Sequence, residues 1–362
     1  MRIHWFTRRE MTDLCSTTQQ QIANGLCKRG YSLTIINPDA EGTHKLFPWK
    51  HISLPISSIR GLQARKLGAN MKKYLSGGLA TDFDLAIVDW QVAPFIIHEL
   101  ERQSIRWMLM DRSPPADRGI LASLQWPRWK RAWKMVKANP SAIGCVVSQA
   151  HREFVLDEIT STTNQIIVLN AGADMELFAP AKKNPELTLV YHGRLDRHRG
   201  VMALPMFVQK ANAAGIDCHL LMIGEGDAYR DLTEMQEENN LFEVLPTMSQ
   251  VHLAQVLGRC HIGLLPMPVT KVWKLASPLK MAEYAASGLL ILGIDHTGHR
   301  VKEGRQPSWI KLIEQESFHE AGIQWLKSLE NEDLVKLSKQ ARSHAQKSMT
   351  WEICLDILED AM

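Results

Sequence analysis

The stretch Val190-Tyr191-His192-Gly193-Arg194-Leu195-Asp196-Arg197-His198-Arg199-Gly200 decides the fold. It reads as an apolar strand that stops at Gly193 and then presents Arg194 and Arg199 before a helix begins. A glycine there lets backbone come close to a ligand, and guanidinium groups match phosphate oxygens as a fork. The same strand-then-glycine pattern returns in Leu221-Met222-Ile223-Gly224-Glu225-Gly226. Later, Ser277-Pro278-Leu279-Lys280-Met281-Ala282-Glu283-Tyr284-Ala285-Ala286-Ser287-Gly288 opens a helix that leads into the apolar run 289–292.

Outward from these segments, strands and helices alternate almost throughout. Upstream, strand candidates cover 2–6, 32–37, 85–89, 106–110, 143–148 and 165–169, with helical patterns at 17–29, 63–75 and 149–158. Downstream, strands cover 187–192, 219–223, 262–266 and 289–294. Helices there cover 201–214, 227–237, 250–257 and 278–286, and the chain finishes in helices at 318–329, 332–347 and 351–360. Such alternation predicts βαβ units and parallel sheets covered on both faces. At 362 residues, 45% of them hydrophobic, the chain is too long for one ordinary core and predicts two domains. The seam is read at 179–185, where two prolines and two lysines favour an extended linker. The expected domains are 1–180, with the C-terminal helix 351–362 packing back on it, and 186–350.

The net charge is only +3 with 22% charged residues, which fits neither a nucleic-acid binder nor a disordered chain. Six cysteines, including Cys15, stand apart with no C-x-x-C pair, so they read as thiols of a reducing compartment, and no metal site is expected. The start, Met1-Arg2-Ile3-His4-Trp5-Phe6, reads as a strand rather than a signal peptide. The best apolar stretch, 85–100, is broken by Asp89 and Pro94, so nothing is expected to span a bilayer. The expected location is the cytoplasm.

The chain resembles GT-B glycosyltransferases, of the group that includes family 4 (group 1) retaining enzymes. Val168-Leu169-Asn170-Ala171-Gly172-Ala173-Asp174, followed by Phe178-Ala179-Pro180, is similar to that family's N-G-V-D…F-x-P junction. The segment 190–200 is similar to its G-R-L…K-G segment, and 221–226 to its strand-plus-G-x-G turn. Cys260-His261-Ile262-Gly263-Leu264-Leu265-Pro266 stands where the family has A-D-I…L-x-P-S, and 277–288 matches its E-A-M-A-x-G segment. The resemblance implies an α/β chain of two Rossmann-like doubly wound domains facing each other across a cleft. It also implies a nucleotide-sugar donor, of UDP or GDP type, on the C-terminal domain. A hydroxyl acceptor, a surface glycan or lipid-linked glycan, would sit on the N-terminal domain. A hexose would be transferred with retention, without a cofactor or obligatory metal.

On this reading Gly193, Arg194, Arg199, Gly224, Gly226, Ser277, Lys280 and Glu283 bind the donor, and Arg194 and Arg199 also stabilise the diphosphate as it leaves. Ser277 and the helix start at Pro278 offer N–H groups to phosphate. Lys280 is a cation at the wrong end of a helix dipole unless an anion sits there. The family's matching glutamate grips ribose hydroxyls, the role expected of Glu283. The bland alternatives are solvated arginines, a tight turn at 224–226, and an i,i+3 ion pair between Lys280 and Glu283. Leu245-Pro246-Thr247-Met248 is placed near the base without specifying it. The family often has an earlier glutamate near the sugar where this chain has Leu275.

The N-terminal half departs further. The loop Thr7-Arg8-Arg9-Glu10-Met11-Thr12-Asp13-Leu14-Cys15-Ser16 lacks the family's glycines. Asp111 stands where the family places histidine and is expected to orient an acceptor hydroxyl or take its proton, or else merely to cap a loop before Pro114. Trp126, Trp129, Trp133 and Val136 share one helical face in the basic segment 126–137. That face either meets an anionic membrane at the inner face of the cytoplasmic membrane or packs inward. Rival functions are a sugar-nucleotide epimerase or phosphorylase on the same fold, and a non-catalytic homologue.

Overall fold

The computed structural model describes residues 1–13, 16–59, 61–77, 83–115, 123–160, 165–301 and 304–362. Leu14 and Cys15 of the first loop therefore lie outside the described residues. The chain forms two compact units, 1–170 with 351–362 and 171–350.

In the first unit β1 (Arg2–Phe6), β2 (Ser32–Asn37), β3 (Lys50–Ser53), β4 (Leu85–Asp89), β5 (Arg106–Met110), β6 (Ile143–Val146) and β7 (Ile166–Val168) form one sheet. Its order is β3-β2-β1-β4-β5-β6-β7, and each neighbouring pair is parallel. Its helices are α1 (Thr17–Lys28), α2 (Gln63–Ser76), α3 (Ala93–Arg102), α4 (Gln125–Ala138) and α5 (Gln149–Glu158). The stretch 85–100, read above as a broken apolar run, is β4 followed by α3. Pro94 falls in the first turn of α3, where its missing N–H costs nothing. The C-terminal helix Trp351–Asp360 belongs to this unit. It packs on α1, where Gly25 leaves room for Leu355. Arg29 pairs with Asp356 at 2.8 Å and also contacts Glu359.

In the second unit β8 (Leu187–His192), β9 (Cys218–Ile223), β10 (Phe242–Leu245), β11 (Ile262–Leu265), β12 (Leu290–Ile294) and β13 (Ile310–Ile313) form a sheet of order β10-β9-β8-β11-β12-β13. It too is parallel throughout. Its helices are α6 (Leu204–Ala213), α7 (Tyr229–Glu237), α8 (Gln250–Arg259), the short α9 (Lys271–Lys274), α10 (Leu279–Ala286), α11 (Phe318–Ser328) and α12 (Leu334–Ser348). Every residue of β11 and β12 is buried, as continuous apolar runs covered on both faces require. The stretch 179–185, read as the seam, lies within this unit. Ala181 N donates to Gly258 O and Asn184 N to Arg259 O, each at 3.0 Å. Lys183 Nζ donates to Cys260 O at 2.6 Å.

In each sheet the strand order reverses direction beside the first strand of the unit, between β1 and β4 and between β8 and β11. Open parallel sheets take ligands at the carboxyl ends of the strands at such points. Among the described residues no helix is long and apolar enough to cross a membrane.

Candidate active site

The carboxyl end of β8 gathers most of the residues singled out in the second half. Gly193 follows β8 with φ +106, a conformation that L side chains avoid. Its N–H donates to Ile223 O at 2.8 Å, and Gly224 N donates to Leu245 O at 2.9 Å. Gly224 has φ +143, and a Cβ there would lie 2.8 Å from the carbonyl carbon of Gly193 and closer still to its oxygen. A Cβ on Gly226 would collide with the Leu195 carbonyl and come within 2.6 Å of Asp196 Oδ1. The space beside these two glycines is therefore filled by the neighbouring loop. They let the β8 and β9 loops touch on the side that a Cβ would occupy.

That packing fixes the arginine loop. Tyr191, fully buried, donates its hydroxyl to Arg194 O at 2.9 Å. Arg194 bonds Asp196 through Nε and Nη2 at 3.3 and 3.1 Å, and its Nη1 lies 3.7 Å from Glu225. Arg199 Nε lies 3.4 Å from Asp196 Oδ2, the oxygen that Arg194 Nε also bonds, too far off-line for a hydrogen bond, and its guanidinium sits 4.8 Å over the Trp273 ring. One carboxylate thus stands between two guanidiniums. Burial alone would raise the Asp196 pKa, but the bonds and charge of Arg194 outweigh it and hold the carboxyl below its ordinary range.

Lys280, in the first turn of α10, reaches over the end of β8. Its Nζ lies 5.2 Å from the Tyr191 ring and would be 2.9 Å from a Cβ on Gly193, so this glycine clears a path for the lysine. Glu283, one turn on, is 3% exposed and faces His192 rather than Lys280. His192 Nε2 and Glu283 Oε2 are 3.1 Å apart, yet neither atom has a well-aligned hydrogen bond. An acceptor oxygen left over in this way suits a ligand hydroxyl. His192 carried no signal of its own in the sequence, being simply the last residue of an apolar strand. Ser277 is engaged differently: its Oγ accepts from Ala171 N at 2.9 Å and ties down the start of the unit.

A further pair went unread. His296 and His299 follow β12 with ring centroids 3.8 Å apart. His296 Nε2 lies 3.2 Å from Met267 O and His299 Nδ1 lies 2.7 Å from Ile294 O. Burial drives His296 down to about 4, and burial together with His296 holds His299 well below its usual value. Both rings are therefore neutral at neutral pH.

In the first unit the expectation for Asp111 fails. Asp111 is fully buried. Its Oδ2 accepts from Trp129 Nε1 at 2.6 Å and Trp133 Nε1 at 2.9 Å, with His151 Nε2 at 3.3 Å. The carboxylate anchors α4 through its two indoles. The same bonds correct the membrane reading of 126–137. Trp129 and Trp133 are wholly buried, so the aromatic face of α4 is core. Lys130 pairs with Glu158 at 2.7 Å and Lys137 Nζ donates to Thr160 O at 2.8 Å.

The glycine-free first loop is held by two buried aspartates instead. Asp39 Oδ2 accepts from Met11 N at 2.7 Å and contacts His44 Nε2 at 2.6 Å. Asp89 accepts from Thr7 Oγ1 at 2.5 Å and Trp5 Nε1 at 3.0 Å. Trp49 Nε1 donates to His44 Nδ1 at 2.9 Å, so Nε2 carries the His44 proton and both ring nitrogens are occupied.

Residues 186–328 match the family described as Glycosyl transferases group 1. That match lies within the second unit. Solved structures extend the likeness to the whole chain. A glycosyltransferase from Rickettsia africae is 14% identical with a TM-score of 0.77, the alignment covering 99% of this chain and 97% of that one. Sucrose-phosphate synthase from Thermosynechococcus elongatus is 16% identical with a TM-score of 0.75 and the same coverages. Anabaena HepE, solved in complex with UDP, is 12% identical with a TM-score of 0.73 and covers 99% of each chain. At such identities the likeness is one of fold, and the fold is GT-B. No curated protein sequence matches the chain. Among the described residues, no group of histidine, cysteine and carboxylate side chains is placed to hold a metal ion.

Proposed function

We propose that this protein is a glycosyltransferase that moves a sugar from a nucleotide-sugar donor to a hydroxyl of a glycan or lipid-linked glycan, with retention. The observation that carries this reading is the convergence of Arg194, Arg199, Lys280 and the His192–Glu283 pair at the carboxyl end of β8, in a stretch that matches the group 1 glycosyltransferase family. A nucleotide diphosphate gains charge as the glycosidic bond breaks. Cations already fixed beside it stabilise that state more than the ground state. Glu283 Oε2 is the acceptor offered to ribose hydroxyls, and His192 lies against it. Asp111, bonded to the two indoles of α4, is given no part in the reaction.

Because HepE was solved with UDP and with UDP-glucose, uracil nucleotides are the first donors to test. Thermal-shift assays with UDP and UDP-glucose against other nucleotides should show a rise in Tm for the true donor class, since a ligand of the folded state raises its stability. Arg194→Ala should lower kcat at least tenfold, one charge-assisted bond being worth about 1.5–3 kcal/mol. Unchanged kinetics would remove Arg194 from the mechanism.

A further inference from the structure

The ladder between β11 and β8 covers Leu189 and Val190 and ends before Tyr191, so the last residues of β8 part from β11 where the strand order reverses. Tyr284, next to Glu283 on α10, fills that gap. Gly263 of β11 makes room for its ring. Its hydroxyl, kept protonated by burial, donates to Val190 O and accepts from His192 N, each at 3.3 Å. The His192 ring meets the Tyr284 ring at 89°, with centroids 5.2 Å apart. Backbone and ring of His192 are thus both fixed by one residue of α10, and its Nε2 ends 3.1 Å from Oε2 of the adjacent Glu283.

A buried carboxylate is costly unless charge or hydrogen bonds offset it. Asp89 and Asp196 meet that demand with several bonds each. Glu283 Oε2 has the imidazole beside it but no hydrogen bond among the described residues, and His192 Nε2 has none either. The two atoms are near each other and out of line. A hydroxyl completes both, donating to Oε2 and accepting from Nε2 when that nitrogen carries the proton. Both side chains keep some exposed surface, 8% and 4%, so a ligand reaches the pair by a small turn of either one. A ligand that covers the pair without supplying the hydroxyl leaves buried polar atoms unpaired, which is how a site rejects an analogue lacking that group.

We propose that His192 is a specificity-determining residue: with Glu283 it recognises a ribose hydroxyl of the nucleotide and selects against nucleotides that lack it. This rests on the donor reading. Full-length protein is titrated calorimetrically with UDP, GDP and ADP, and whichever binds tightest is compared with its 2′-deoxy and 3′-deoxy forms. The weaker deoxy form should bind at least about tenfold less tightly than its parent. His192→Phe keeps a ring against Tyr284 but loses Nε2. It should shrink that ratio to about twofold or less by losing affinity for the parent alone, the deoxy form binding as before and reporting an intact fold. His192→Gln, whose amide nitrogen lies as many bonds from Cβ as Nε2 does, should recover most of the ratio. His192→Asn, whose shorter amide falls short of Glu283, should lose it, and it stands in for His192→Phe if that variant does not fold. A wild-type protein without the ratio, or a ratio that survives in His192→Phe or His192→Asn, overturns the assignment and leaves the donor reading standing. Equal losses for parent and deoxy form, or no more recovery in His192→Gln than in His192→Asn, overturn it too and reduce His192 to packing. If none of the diphosphates binds, the donor reading falls and takes this assignment with it.

Discussion

Gly224→Ala tests whether loop-to-loop packing builds the donor site. A Cβ at this position would stand 2.8 Å from the carbonyl carbon of Gly193 and nearer still to its oxygen. Neither loop can yield cheaply, because Gly193 N is bonded to Ile223 O at 2.8 Å and Gly224 N to Leu245 O at 2.9 Å. Overpacking of this kind costs about 1–3 kcal/mol. The φ of +143 adds strain of about 1–2 kcal/mol for any residue with a Cβ. The sum is about 2–5 kcal/mol. At roughly 2–4 °C per kcal/mol for a unit of this size, the second unit should melt about 4–20 °C lower by scanning calorimetry. Gly215→Ala is the control, since Gly215 has φ +87 with nothing within 4 Å of the new Cβ, so only the strain applies. The loop that would be pried away carries Arg194, so Gly224→Ala should also weaken UDP binding while Gly215→Ala does not. Equal Tm values for the two variants, with UDP affinity intact, would refute the packing argument.

Asp111→Asn should act on stability and not on chemistry. It removes a buried carboxylate that accepts from two indole N–H groups, so Tm should fall by an amount equivalent to about 1–3 kcal/mol, with kcat per folded molecule unchanged; a selective loss of kcat would return Asp111 to the active site. Acid should destabilise the second unit through His296 and His299. In the unfolded chain both titrate near 6.5, whereas the folded His296 does so at about 4 and His299 lower than usual. Above about 6.5 neither state takes the proton and stability is flat; as pH falls from there toward about 4, the unfolded chain binds protons the folded one refuses, and stability drops by up to about 1.4 kcal/mol per pH unit for each histidine. A Tm that stays level across that window would show that these rings are not held neutral.

Most strands were legible because buried parallel strands are unbroken apolar runs, as in Leu290–Ile294. Two were not. Lys50–Ser53 is a half-buried edge strand of polar composition, and Ile310–Ile313 alternates too briefly to stand out, its Lys311 exposed at the other sheet's edge. The glycines at 193, 224 and 226 were legible as positions that need a close approach, but a sequence does not say whose backbone approaches. For Gly224 and Gly226 it is the protein's own. Asp111 misled for a related reason. A carboxylate at the end of β5 looks like a reactive group, and the two tryptophans that occupy it come from a helix whose inward face was one of two open readings.

The same blindness to partners bears on how the arginines work. Arg194 and Arg199 are not idle cations awaiting a phosphate, because Asp196 lies between them and Glu225 borders Arg194. The carboxylate holds the guanidiniums in place before any ligand arrives, which lowers the entropy lost on binding. It also lowers their net pull, since a diphosphate must share or displace Asp196. Lys280, extended over Tyr191 from α10, then adds attraction from the far side of β8. The two kinds of cation divide the work: the arginines supply fixed geometry and the lysine supplies charge. On that division Arg194→Ala should affect kcat more than donor affinity, because fixed forks matter most where charge develops during reaction. Loss of UDP affinity with kcat preserved would reverse the division and make Arg194 a ground-state binder only.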